Sequence, residues 1–182
     1  GYLILAVLIT IIHFIFKINF IIIVCIFIIK LKINLKNYDY NFKNIEKKYY
    51  LYFIIFLILI PIYISQKYHE DFGYYHLPYI VNLANEKIIF GLGNVNNGFV
   101  HNSIWLNILS VFFIKNNFNF VTLPSFLIYF TFLIYAINQI FFHKKYSNSN
   151  YFLVICVFYL ILKFTRISEY GNDIPALIYS IF

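Results

Sequence analysis

Methionine is absent from this chain, and tryptophan and arginine appear once each, as Trp105 and Arg166. Charge is equally scarce. Asp, Glu, Lys and Arg make up 12% of the 182 residues, about half the share carried by soluble domains, which excludes a water-soluble globular fold. Cysteine is limited to Cys25 and Cys156. Both sit inside apolar runs without a CxxC partner, which argues against a disulfide framework or a thiolate metal site and leaves two small lipophilic side chains. No HExxH-like ligand spacing and no internal repeat is present, so the sequence requires no metal and lacks the related halves of many transporters. The lack of Met, the start at Gly1 and the stop inside a new apolar run, Ala176 to Phe182, lead us to expect a fragment of a longer protein.

What is present is oil. Hydrophobic residues make up 62% of the chain and the mean hydropathy is +0.77. Runs at Tyr2 to Ile29, Tyr49 to Ser65, Phe118 to Phe142 and Tyr151 to Phe164 suit a hydrocarbon core of about 30 Å, which takes about 20 helical residues to cross. Enrichment in Ile, Phe, Tyr, Asn and Lys is also what an AT-rich genome imposes, so aromatic abundance carries no argument. The expected fold is all-α: one polytopic membrane helix bundle over residues 1–182, with helices lying along its outer face. The recurrence of apolar runs along the chain argues against a secretory signal peptide.

Lysine sets the orientation. Residues 30–48 carry Lys30, Lys32, Lys36, Lys43, Lys47 and Lys48 against Asp39 and Glu46, a short basic loop that belongs in the cytoplasm. Anionic head groups account for these lysines and for the net charge of +7, so nucleic acid is not an expected partner. The helix from Tyr49, with Pro61 expected to kink it, then runs outward and leaves residues 66–117 as an outer loop. Ser103 to Ile114 is apolar but spans only about 18 Å as a helix, too short to cross, and is expected at, or dipping into, the outer interface. Phe118 to Phe142 crosses inward and delivers His143, Lys144 and Lys145 to the cytoplasm, and residues 165–175 form a second outer loop. The alternative, with Ser103 to Ile114 as a full span, puts Lys144 and Lys145 outside and separates the acidic clusters by the membrane. Tyr2 to Ile29 reads as one tilted helix or part of a hairpin, with His13 as an interfacial or packed polar residue.

Four of the seven carboxylates fall in two clusters beside apolar helices, Glu70 with Asp71 and Glu169 with Asp173. A carboxylate beside hydrocarbon is costly and marks a functional site by default. The first cluster lies in HEDFGYYHLPYI, with His69, Tyr75 and His76 close by; from His76 to Lys87 follows an amphipathic pattern with Leu77, Ile80, Val81 and Ala84 on one side, read as an interfacial helix. Next comes GLGNVNNGFVHNSIW, whose three glycines let backbone amides approach a polar ligand and whose Asn94, His101, Asn102 and Trp105 are candidate contacts. The second cluster lies in RISEYGNDIPA beside Arg166.

The series Asp71, Tyr75-His76-Leu77-Pro78, Gly91-Leu92-Gly93-Asn94, Asn102-Ser103 and Trp105, with RISEYGNDIPA, resembles a group of bacterial multi-pass proteins. These are similar to GT-C membrane glycosyltransferases, the class of the protein mannosyltransferases and the aminoarabinose transferases that modify lipid A. The likeness covers Tyr49 to Phe182. It implies a GT-C-like N-terminal portion in the bacterial inner membrane that moves a sugar from a polyprenyl-phosphate donor to an envelope acceptor, at the extracytoplasmic face and with inversion. Asp71 is then the general base and Glu70 its partner, orienting the acceptor or binding a divalent cation, which some members of the class use. His69, Tyr75, His76, Asn94, His101, Asn102, Trp105, Arg166, Glu169 and Asp173 line the substrate. Arg166 either neutralises the leaving phosphate or forms an ion pair with Glu169 or Asp173. Competing readings are a membrane transporter or channel, an envelope polysaccharide polymerase or ligase, and a structural membrane subunit.

Overall fold

The computed structural model describes residues 2–18, 47–65, 70–100, 103–115, 117–142, 148–163, 166, 170–171 and 173–181. Among these residues the chain is all-α, without strands beyond an isolated bridge between Ile114 and Asn117. The helices are α1 (Tyr2–Ile15), α2 (Lys47–Ile64), α3 (Leu77–Asn85), α4 (Ile104–Val111), α5 (Leu123–Ile137), α6 (Asn148–Leu162) and α7 (Asp173–Ile181). The basic loop falls almost wholly outside the described residues, as does Cys25.

The centre of the fold is α5. A 3-10 turn, Phe118–Thr122, leads into it and a π turn, Asn138–Phe142, continues it, so that residues Phe118–Phe142 form one helix long and apolar enough to cross a membrane. Pro124 stands in the first turn, where its missing N–H costs nothing. Phe126, Tyr129, Phe132, Leu133 and Ala136, at helical spacing, are buried.

Helix α2 lies antiparallel to α5, fixed at both ends and between. Near its start, Tyr52 donates its hydroxyl to Asn138 Oδ1. Mid-helix, Phe56 meets Phe126 and Phe130 edge-on, with ring centroids 5.8 and 5.5 Å apart. Towards its end, Tyr63 donates to the Asn119 carbonyl at 2.5 Å and its ring lies 5.1 Å from that of Phe126. The helix continues through Pro61. Helix α6 turns back along α5: buried Asn150 donates from Nδ2 to the Gln139 carbonyl at 3.4 Å, and past the far end of α6 the Tyr170 hydroxyl reaches the Phe118 carbonyl at 3.3 Å. Residues after α2 and residues after α6 therefore emerge at the same end of α5.

Helix α4 is enclosed by protein: every residue from Trp105 to Val111 is buried, because α1 and α3 pack against it. In α3 the buried residues are Tyr79, Ile80 and Leu83, while Leu77, Val81 and Ala84 are half-buried. The inward face thus includes Ile80 of the stripe read from spacing and extends to Tyr79 and Leu83, while Asn85 and Glu86 are exposed.

Burial predicts contrasting mutants. Phe132 is fully buried and Phe141 is 72% exposed. Phe132→Ala should lower unfolding stability by about 3–5 kcal/mol, while Phe141→Ala should change it by less than about 0.5 kcal/mol; denaturation of the two variants side by side in detergent measures the difference.

Candidate functional site

The acidic corner after α2 is built on a local irregularity. Glu70 is exposed and Asp71, half-buried, opens a π turn over Phe72–His76. Leu77 N–H reaches back to the Phe72 carbonyl across five residues. Pro78 follows at once, in the first turn of α3, where it offers no N–H to the Tyr74 carbonyl. The π turn directs Phe72 and Tyr75 towards the rest of the fold. Tyr75 lies beside His76 with ring centroids 4.2 Å apart.

The glycine loop closes from behind. Gly91 has φ +86°, a left-handed conformation that favours glycine, and Asn94 N–H donates to its carbonyl at 2.9 Å. Asn96 Oδ1 accepts from Gly98 N–H at 2.8 Å and brings the Gly98 backbone against Tyr75, where an added Cβ would stand 2.5 Å from Tyr75 Cβ. Phe99 meets Tyr79 at 5.3 Å between centroids. This loop therefore backs the π turn and sets where Tyr75 stands. Asn94 sits exposed on a 3-10 turn at its rim. Trp105, read as a surface contact, is only 6% exposed and its Nε1 has no hydrogen-bond partner among the described residues; it belongs to the core of α4.

The second corner meets the first. Phe72 and Tyr170 are in ring contact at 4.6 Å. The Tyr75 hydroxyl is held above its ordinary pKa, first by burial and then by the charges of Asp71 and Asp173, which places carboxylates from both loops within electrostatic reach of one phenol. Tyr75 therefore stays protonated at physiological pH and can donate a hydrogen bond. Arg166 Nη1 donates to Asp173 Oδ2 at 3.2 Å, the ion pair that was one of two readings for this arginine. It is solvent-facing, with Asp173 72% exposed, and a pair of this kind contributes about 0–1 kcal/mol. A cavity of about 300 Å³ opens beside it, lined by Tyr159, Lys163, Arg166, Asp173, Ile174 and Leu177. Asp71 stands outside its wall.

The structure thus brings together Asp71, Tyr75, His76, Arg166 and Asp173. His69, His101, Asn102 and Glu169 lie outside the described residues. Among the described residues no three His, Cys, Asp or Glu side chains gather to hold a metal. Spacing alone did not single out Tyr170, which joins the corners, or Lys163 and Tyr159, which line the cavity; Tyr170 does stand inside RISEYGNDIPA, where an aromatic between two acids was the available signal.

Compared with known proteins, the chain belongs to a family described as a domain of unknown function, DUF8201, whose profile matches residues 1–182. No curated protein and no solved structure matches it.

Two outcomes follow from this geometry. Gly98→Ala has no flexible tip to push aside, because Tyr75 Cβ is anchored to backbone, and should cost about 1–3 kcal/mol, read by thermal denaturation. Removing a carboxylate removes charge that opposes the phenolate, so Asp71→Asn should lower the Tyr75 pKa; Tyr75 ¹³Cζ shifts followed against pH measure it.

Proposed function

We propose that this chain is part of a multi-pass inner-membrane glycosyltransferase of GT-C type, moving a sugar from a polyprenyl-phosphate donor to an envelope acceptor at the extracytoplasmic face. The observation that carries the reading is the meeting of the Asp71 and Asp173 corners around Tyr75 at one end of α5. A membrane setting is supported by the outward faces of the shorter apolar helices. Val7, Leu8 and Ile11 of α1, Phe53, Ile54, Leu57 and Ile58 of α2, and Phe152, Ile155 and Phe158 of α6 are all exposed. A soluble monomer rarely shows apolar patches beyond a few hundred Å², whereas lipid covers them at no cost.

The chemistry assigned to the residues is as follows. The acceptor hydroxyl or amine attacks the anomeric carbon, its proton passes to Asp71, and the bond from that carbon to the phosphate oxygen breaks with inversion. Charge growing on the leaving phosphate is met by Arg166. The guanidinium's exposed pair with Asp173 is weak enough to be exchanged for a phosphate oxygen, and a planar fork suits that oxygen well. Neutral Tyr75 donates to a substrate oxygen between the two corners. Glu70, exposed beside Asp71, orients the acceptor or helps bind a cation, and His76 contributes a further polar contact.

A transporter is the second reading, favoured by one observation: titratable His13 is fully buried in α1. Sugar transfer by the full-length protein in membranes separates the two. Asp71→Asn should reduce transfer by about 10²-fold or more. Unchanged transfer would remove Asp71 as the base, and ion flux without transfer by the unaltered protein would favour the transporter.

A further inference from the structure

The joint between α1 and α4 contains an unusual polar group for two helices of apolar sequence. His13 is 0% exposed and Asn107 is 1% exposed. Their hydrogen bonds fix which atoms donate. His13 Nε2 lies 3.1 Å from the Glu86 carbonyl, which can only accept, so the ring proton sits on Nε2 and Nδ1 presents a lone pair. Thr10 Oγ1 donates to the Ala6 carbonyl at 2.9 Å, so it can only accept from Asn107, whose Nδ2 lies 3.3 Å away. That orients the amide and leaves Asn107 Oδ1 as an acceptor. Both His13 Nδ1 and Asn107 Oδ1 are buried without a hydrogen-bond partner among the described residues.

Thr10 and His13 are three residues apart on α1, and side chains at that spacing are neighbours on one helix face. Asn107, bonded to Thr10, therefore stands within a turn of the imidazole. Two buried acceptors thus belong to residues of this joint and neither has a donor among the described residues. A neutral molecule with two O–H groups can donate to both.

We propose that the α1–α4 joint is a buried water site, in which one water donates to His13 Nδ1 and to Asn107 Oδ1 and so completes a polar tie between the two helices. Buried waters make about three hydrogen bonds to groups left unsatisfied by protein. The site is independent of the sugar-transfer reading, since it uses none of the residues of the Asp71 and Asp173 corners.

The test uses ¹⁵N-histidine-labelled protein in lipid nanodiscs. The expected result is the Nε2–H tautomer for His13, with Nδ1 shifted as a hydrogen-bond acceptor and a through-space contact to an exchangeable water proton. A proton on Nδ1, or an Nδ1 shift typical of a bare lone pair, would overturn the proposal. Thermal denaturation supplies a second readout. His13→Phe and Asn107→Leu should each lower the melting temperature, and the double variant should lose clearly less than the summed loss, because His13 Nδ1 and Asn107 Oδ1, the two acceptors of the shared water, are removed together. Strictly additive losses would show that the two atoms share no partner and would equally overturn it.

Discussion

Everything described here depends on the antiparallel clasp of α2 on α5. Its aromatic middle, Phe56 against Phe126 and Phe130, is closed at one end by Tyr52 on Asn138 and at the other by Tyr63 on the Asn119 carbonyl. Apolar attraction alone does not set register between helices in lipid, because lipid tails compete equally well for apolar side chains. Directional hydroxyl bonds do. Once α2 is held in this register, the chain after Tyr63 must emerge beside the start of α5, and the return of α6 along the same helix brings Tyr170 to the same place. The common end for the two acidic loops follows from that arrangement.

Much of this was legible from the apolar runs. Tyr49 to Ser65 became α2 within two residues, and Phe118 to Phe142 became the long apolar helix with the same bounds. Their length and uniformity leave few alternatives, since an apolar segment of that size has no use for a loop. The run Tyr151 to Phe164 is extended at its start by a polar turn, Asn148, Ser149 and Asn150, of which Asn150 is buried and bonded to the end of α5. The ion pair of Arg166 with Asp173 was one of the two roles read for the arginine, from proximity in sequence.

What could not be read depended on partners distant in sequence. The burial of α4 is decided by α1, about 100 residues earlier, and by α3, and an eight-residue apolar stretch reads the same whether lipid or protein covers it. The π turn at Phe72–His76 is local, but its consequence, the contact of Phe72 with Tyr170, depends on where Tyr170 lies. For His13, packing as a buried polar residue was one of the two readings, but its partner, the carbonyl of Glu86, was beyond reach of the sequence.

The spacing of the two clasping tyrosines has a mechanical meaning. Tyr52 and Tyr63 are eleven residues apart, close to three helical turns and about 16 Å along the axis, so both hydroxyls leave α2 on nearly one meridian. Sliding α2 by a turn would break both bonds at once, whereas rotating the helix pair together breaks neither. In the membrane setting proposed above, a change of bilayer thickness would therefore be met by tilt of the pair as one rod, and the rim carrying Asp71 and Asp173 would keep its shape.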